Sequence, residues 1–266
     1  MRDRTASIES MEQLIRVWRP LVLDRDPRAD VRDLPGLAVR WADCRFAFWN
    51  CLTLTGPDVD AAALERDLHR AAQVMRAKSH PGFLWLFQDL LDQGAREHLR
   101  EAAHRAGLER AFGGVGMAAD LAHLPEPSHP DLTFMRVSTD AHLASYADLN
   151  SRAYGFALEE GRDGLAGSAL WKNGVHAYLG MRQGEAVTCA ATVPARDCLF
   201  VVLVATEPRW QRRGYAEAVT RKALREGARA SGLRRAVLQA TEAGAPVYPR
   251  IGFTPNSPVH FYRLRG

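Results

Sequence analysis

The chain has 266 residues, 47% of them hydrophobic and 25% charged, with 35 basic against 31 acidic side chains for a formal net charge of +4. That balance excludes a disordered polar chain, and no apolar run is long enough to span a bilayer. The small basic excess has no stripe interleaved with aromatics and no helix-turn-helix pattern, so neither nucleic acid nor membrane is expected as a partner.

The length suits one or two domains, and two is the better fit. Residues 1–10 lack an apolar signal core. The cysteines at 44, 51, 189 and 198 have neither Cys-x-x-Cys nor Cys/His metal spacing. The expectation is a cytoplasmic protein with buried thiols, no metal site and no cysteine nucleophile.

In chain order, Ile8, Met11, Ile15, Trp18 and Leu21 set a helical spacing over 8–24, broken by Pro20 and the charged run 24–33. Strands are predicted at 37–44 and 45–54, then a helix over 60–77. Phe83-Leu84-Trp85-Leu86-Phe87 reads as a buried strand, and 92–106 as a second helix ending at Gly107. Gly113-Gly114-Val115-Gly116 has no helix start behind it and reads as a turn before a closing strand at 116–121. Pro125, Pro127 and Pro130 mark residues 123–130 as a linker, separating 1–124 from 131–266.

The back half repeats this order. A helix is predicted over 140–154, with Leu143, Tyr146, Ala147, Leu149 and Ala153 inward, followed by a Gly-rich stretch, 155–174, that suggests a mobile lip. Strands at 175–182 and 185–193 flank the tight turn Gln183-Gly184, and a further reversal at 194–197 leads to a strand at 199–206. The next helix turns Ala216, Val219, Ala223 and Leu224 inward and stops at Ser231-Gly232. Strands follow at 235–240 and 258–264, and the strand–helix–strand order implies a right-handed parallel crossover.

Residues 199–217 run a buried strand into a basic, glycine-bearing loop and then a helix. Backbone N–H groups at the mouth of a helix have no intrahelical partner and lie at the positive end of its dipole, so they bind phosphate. Gly214 lets the backbone turn and approach a ligand, and Ala216 keeps bulk away from the same place.

The spacing Gln211-Arg212-Arg213-Gly214-Tyr215-Ala216 resembles the Q/R-x-x-G-x-G/A signature of the GNAT superfamily of acyl-CoA-dependent N-acyltransferases. Thr206-Glu207-Pro208-Arg209-Trp210 resembles that family's lead-in, and Val247-Tyr248-Pro249-Arg250-Ile251-Gly252-Phe253 its L-Y-x-x-x-G-F element. The resemblance covers about 132–266 in element order. It implies a mixed α/β fold in two tandem GNAT-like domains, each with a mostly antiparallel sheet and a parallel splayed pair. The copy at 1–124 is degenerate: nothing between Cys44 and Ala61 matches the signature, and Thr55-Gly56-Pro57-Asp58 offers one glycine, an acid and no Arg.

The resemblance further implies acetyl-CoA as co-substrate. Val204, Ala205 and Thr206 would hold its pantetheine arm, and N–H groups from Arg212 to Glu217, including those of Gly214, Tyr215 and Ala216, its pyrophosphate. Gln211, Arg212 and Arg213 would add polar contacts. An amine would attack the thioester directly in a ternary complex, and Tyr248, with an ordinary phenol pKa of about 10, would protonate the leaving thiolate. Thr241 stands where the family often has an Asn that touches pantetheine. No general base is assigned among Glu207, Glu185, Asp197, His176 and Glu242. The acceptor, a small-molecule or peptide amine, is not specified, and a homodimer is left open. The competing reading is a non-catalytic acyl-CoA sensor or interaction module.

Overall fold

The computed structural model describes residues 5–122 and 124–266; His123, which opens the expected linker, and Met1 to Arg4 of the expected signal-free start lie outside them. The chain divides into two compact units. The first comprises residues 1–117, 239–245 and 255–266, and the second 118–238 and 246–254. Each is a mixed α/β unit, with both parallel and antiparallel strand pairs.

The first unit opens with α1 (Thr5–Arg25), which runs unbroken through Pro20. Pro20 is exposed, and the buried Val17, Trp18, Leu21 and Val22 on either side hold the helix across it. The inward face is Met11, Leu14, Val17, Trp18 and Leu21 rather than the expected set with Ile8 and Ile15, which are only half-buried.

The charged run expected to be only a break contains an edge strand, β1 (Asp30–Leu34), antiparallel to β2 (Leu37–Trp41). Its alternation is hidden because Asp30 carries ion pairs to Arg32 and Lys78, each at 2.7 Å. Then come β3 (Asn50–Leu54), α2 (Ala61–Arg76), β4 (Phe83–Phe87) and α3 (Gln93–Ala106). The strands β3 and β4 are parallel, as a helical crossover requires. Gly107 ends α3 at φ 80°.

The glycines at 113, 114 and 116 are not a turn. They lie inside one long strand, β5 (Leu108–Asp120). A Cβ on Gly114 would sit 2.4 Å from the Ala240 carbonyl oxygen, and one on Gly116 2.4 Å from Asn256 Oδ1. Close backbone approach, not reversal, is what these glycines serve.

Leucines and alanines of α2 and α3 fill one side of this sheet, with Leu37, Val39, Leu52, Leu84 and Leu86. Trp18, Trp49 and Trp85 meet edge to face on another layer, at centroid distances of 5.8 and 5.3 Å from Trp18. The strand β11 (Thr254–Leu264) pairs antiparallel with β4, Phe261 opposite Trp85.

The second unit has the strand order β10-β9-β8-β7-β6, from β6 (Thr133–Arg136), β7 (His176–Arg182), β8 (Glu185–Pro194), β9 (Leu199–Thr206) and β10 (Arg235–Thr241), whose residues from Gln239 onward count with the first unit. Its helix α4 (Asp140–Tyr154) buries Leu143, Tyr146, Ala147 and Leu149 as expected, with Ala153 half-buried. The Gly-rich stretch is not open loop: it folds into α5 (Leu158–Leu165) and α6 (Ala169–Asn173), and Gly161 allows helix contact where a Cβ would meet Ser151 Oγ at 2.2 Å.

The helix α7 (Tyr215–Ser231) crosses from β9 to its parallel neighbour β10. Its buried face is Tyr215, Ala218, Val219, Ala223 and Leu224, with Ala216 only half-buried, and it packs on Leu132, Val187, Tyr178 and Ala190. All four cysteines are buried.

Replacing Gly114 with Ala should cost about 1–3 kcal/mol, the usual penalty for forcing a methyl into a filled core. Chemical denaturation measures this, and an unchanged midpoint would show that the strand has room to shift.

Candidate functional site

The site is built where β9 gives way to α7. The parallel β9–β10 ladder consists of Ala236↔Leu199 and Val237↔Phe200, so among the described residues the edge of Val201–Thr206 that would continue it has no ladder partner on that side. On the other side the β8–β9 register slips between Cys189 and Ala191, and Leu203 takes a left-handed φ of 50°. This is a bulge, which bends the strand and turns carbonyls out of the ladder.

Two tyrosines of α4 collect those carbonyls. The Tyr146 hydroxyl donates to Leu203 O and the Tyr154 hydroxyl to Val204 O, each at 2.8 Å. Burial raises the pKa of both phenols, so both remain donors. Thr188 donates to Ala205 O at 2.9 Å and shares a 2.8 Å hydroxyl–hydroxyl bond with Thr206. Gln211 Nε2 donates to Thr206 O at 3.4 Å.

The loop then makes one turn of 3₁₀ helix, Pro208–Trp210, and enters α7 through Arg212 at φ 60° and Gly214 at φ 81°. Left-handed residues on either side of Arg213 give the alternation that aims successive N–H groups into one concavity. No side chain caps α7, and its first backbone bond is Ala218 N–H to Gly214 O. The backbone N–H groups from Arg212 through Glu217 therefore have no partner among the described residues.

In the first unit Asp60 caps α2, accepting from Ala63 N–H at 2.7 Å, so a carboxylate of the chain itself meets the first turn of that helix.

Cations surround the α7 entrance. Arg182, Arg213 and Arg209 lie over the Trp210 ring, 4.4, 4.8 and 5.7 Å from its centroid. Arg209, Arg212 and Arg213 are exposed, with Arg209 paired to Glu185. Tyr215 contributes only its backbone to the concavity: its side chain is 1% exposed, and its hydroxyl donates to Asp131 Oδ2 at 3.1 Å. The Glu217 side chain is likewise engaged, paired with Arg221 at 2.9 Å and Arg250 at 2.7 Å. Burial would raise its pKa, but hydrogen bonds from Arg250 and Arg221 outweigh this and hold the carboxylate below its ordinary range.

Arg250 belongs to the 3₁₀ segment Ala245–Ile251, which also carries Tyr248. The Glu217–Arg250 pair thus ties the segment bearing the phenol to the first turn of α7. Tyr248 is 7% exposed, edge-on to Phe253 at 5.7 Å, and burial pushes its pKa well above that of a free phenol.

None of the carboxylates weighed as a base is unengaged. Glu207 meets Arg152 at 2.7 Å, Asp197 meets Arg196 at 3.9 Å, and Glu242, in the first unit, meets Arg110 at 3.0 Å. His176 is neighboured by Arg136 at 3.2 Å, and burial with that charge lowers its pKa. The Thr241 hydroxyl, also in the first unit, accepts from Gly244 N–H. Burial pushes the Cys51 and Cys189 thiols up to about 12, away from nucleophilic thiolate. Among the described residues no group of three or more His, Cys, Asp or Glu could hold a metal ion, and no helix is long and apolar enough to cross a membrane.

Sequence reasoning missed Tyr146 and Tyr154 as partners of the bulge, Arg182 at Trp210, and His129 and Asp131 beside the α7 entrance. Each is far in sequence from the loop it serves, and no local spacing announces it.

The model of the acetyltransferase (GNAT) family matches residues 125–253. The chain is similar in fold to a GCN5-related N-acetyltransferase from Kribbella flavida, at 16% identity and a TM-score of 0.68, over 95% of this chain and 96% of that one. It is also similar to a GCN5-related N-acetyltransferase from Sphaerobacter thermophilus, at 14% identity and a TM-score of 0.58, over 98% and 94%. A GCN5-related N-acetyltransferase-like protein from Streptococcus suis is similar at 15% identity and a TM-score of 0.56, over 97% and 99%. At these identities the structural likeness establishes the fold alone. No curated protein matches the sequence. The segment holding the α7 entrance, the bulged strand and Tyr248 lies within the residues that the acetyltransferase (GNAT) family model matches.

Proposed function

We propose that the protein is an N-acetyltransferase that moves an acetyl group from acetyl-CoA to a primary amine by direct attack in a ternary complex. The observation that carries this reading is the run of unpartnered backbone N–H groups from Arg212 through Glu217 at the start of α7. Such groups gain by meeting a diphosphate, and exposed Arg212 and Arg213 add charge to the same place. The unpaired edge of Val204, Ala205 and Thr206 would take the pantetheine arm as an added strand, with the Val204 carbonyl already held by Tyr154.

Tyr248 is the proposed acid. The phenol is protonated at neutral pH and can give its proton to the sulfur as the thiolate leaves; burial disfavours the phenolate, so the proton must then be restored from solvent. The amine proton passes to water in this scheme, since the nearby carboxylates are engaged by arginines. The acceptor is left as a primary amine.

The division into a degenerate copy at 1–124 and an acetyltransferase domain at 131–266 belongs to the same proposal. It is supported by the shared pairing order in the two units, β2-β3 antiparallel with β3-β4 parallel, and β8-β9 antiparallel with β9-β10 parallel. Asp60 at the head of α2 is consistent with a first copy that binds no diphosphate.

Gly214→Glu should weaken acetyl-CoA binding by at least about a hundredfold, because it adds left-handed strain and a repelling carboxylate together. Calorimetric titration measures this, and undiminished binding would move the cofactor elsewhere. Tyr248→Phe should lower turnover by about tenfold or more while acetyl-CoA affinity stays within about twofold. The assay is thiol release from acetyl-CoA across a panel of amines. Release by no amine, with acetyl-CoA still bound, would favour the non-catalytic acyl-CoA sensor.

A further inference from the structure

We propose that His129 is a positioning residue for the diphosphate: it fixes the orientation of the Arg213–Gly214 peptide, so that the Gly214 N–H points into the concavity. The proposal rests on the reading of that concavity as the acetyl-CoA diphosphate site.

A trans peptide sends its C=O and N–H in opposite directions. Whatever holds the Arg213 carbonyl therefore sets where the Gly214 N–H points. Gly214, at φ 81°, is the residue type for which rotation of the preceding peptide is least hindered, so the loop by itself does not select one orientation. Rotated the other way, the same peptide would present a carbonyl oxygen to the phosphate.

His129 makes the selection. Its Nε2 lies 2.9 Å from Arg213 O, and its Nδ1 accepts the Asp131 N–H at 3.2 Å. With Nδ1 an acceptor, the neutral ring carries its proton on Nε2, the form that donates to the carbonyl. The ring is held in place by Tyr215, edge-on at 4.8 Å, whose hydroxyl in turn donates to Asp131. A Cβ on Gly214 would lie 3.6 Å from the same ring. The neighbouring Glu126 of the linker pairs with Arg225 further along α7 and fastens this segment to the helix independently of the histidine.

The test compares the wild-type chain with His129→Ala and His129→Gln, whose amide N–H can reach the same carbonyl. Acetyl-CoA affinity is measured by calorimetry, and backbone order at 211–217 by NMR order parameters of the amides. His129→Ala should weaken acetyl-CoA about five- to tenfold, the scale of one lost hydrogen bond together with a peptide free to turn away. It should also lower the amide order parameters at 211–217 while those of 220–231 and the melting temperature are little changed. His129→Gln should recover most of the affinity.

Equal affinity of wild type and His129→Ala would overturn the positioning role and leave the cofactor site standing. So would loss of affinity that follows a general fall in stability and is not recovered by Gln. A wild-type chain that does not bind acetyl-CoA would overturn the cofactor reading, and this role with it.

Discussion

A helix that starts on glycine without a capping side chain leaves its first amide hydrogens facing outward with no acceptor in the helix itself. In α7 this is compounded by the preceding loop, whose left-handed turns at Arg212 and Gly214 extend the same row of donors backward. Proteins rarely leave such a row unmet, because each buried or crowded donor without a partner forfeits a hydrogen bond it had in water. Most features of the second unit make sense around this deficit. The exposed arginines add positive charge beside it, Tyr215 anchors the first turn in the core, and the Glu217–Arg250 pair joins that turn to the segment holding Tyr248.

The strand leading into the helix meets a related constraint. A parallel neighbour that pairs over two positions and then stops leaves a backbone edge unclaimed, and an unclaimed edge invites another strand. Here the invitation is confined to one side. On the other, the bulge at Leu203 is held by Tyr146 and by the β8 ladder, so the strand cannot slide to close the gap. Rigidity on one side and an unpaired edge on the other suit the added-strand role proposed above.

Much of this was legible in the residues. The strand at 83–87, the helix ending at Gly107 and the α7 boundaries at Gly214 and Gly232 coincide with local rules of periodicity and left-handed caps. The α7 entrance was legible because its chemistry is local, a strand, a basic loop and a glycine in sequence. What the residues concealed was tertiary. The strand β1 hides in a charged run because its side chains find partners in ion pairs, and β5 hides in a glycine cluster because the glycines answer to Ala240 and Asn256, far along the chain. The inward turn of Tyr215 in place of Ala216 follows from where Leu132 and Val187 stand. The tyrosines beneath the bulge and the histidine beside the loop could not be paired with their targets by spacing of any kind.

The pairing of β11 with β4 reaches from the last stretch of sequence back into the first unit. During synthesis, that unit's sheet lacks a strand until residues 255–266 have emerged, long after its helices and hairpins are made. The exposed flank of β4, Phe-Leu-Trp-Leu-Phe, is among the most apolar runs in the chain and must wait in that interval without its neighbour. Folding of the first unit is therefore paced by translation of the second, and the nascent chain spends that delay with an adhesive strand edge available to any other chain nearby.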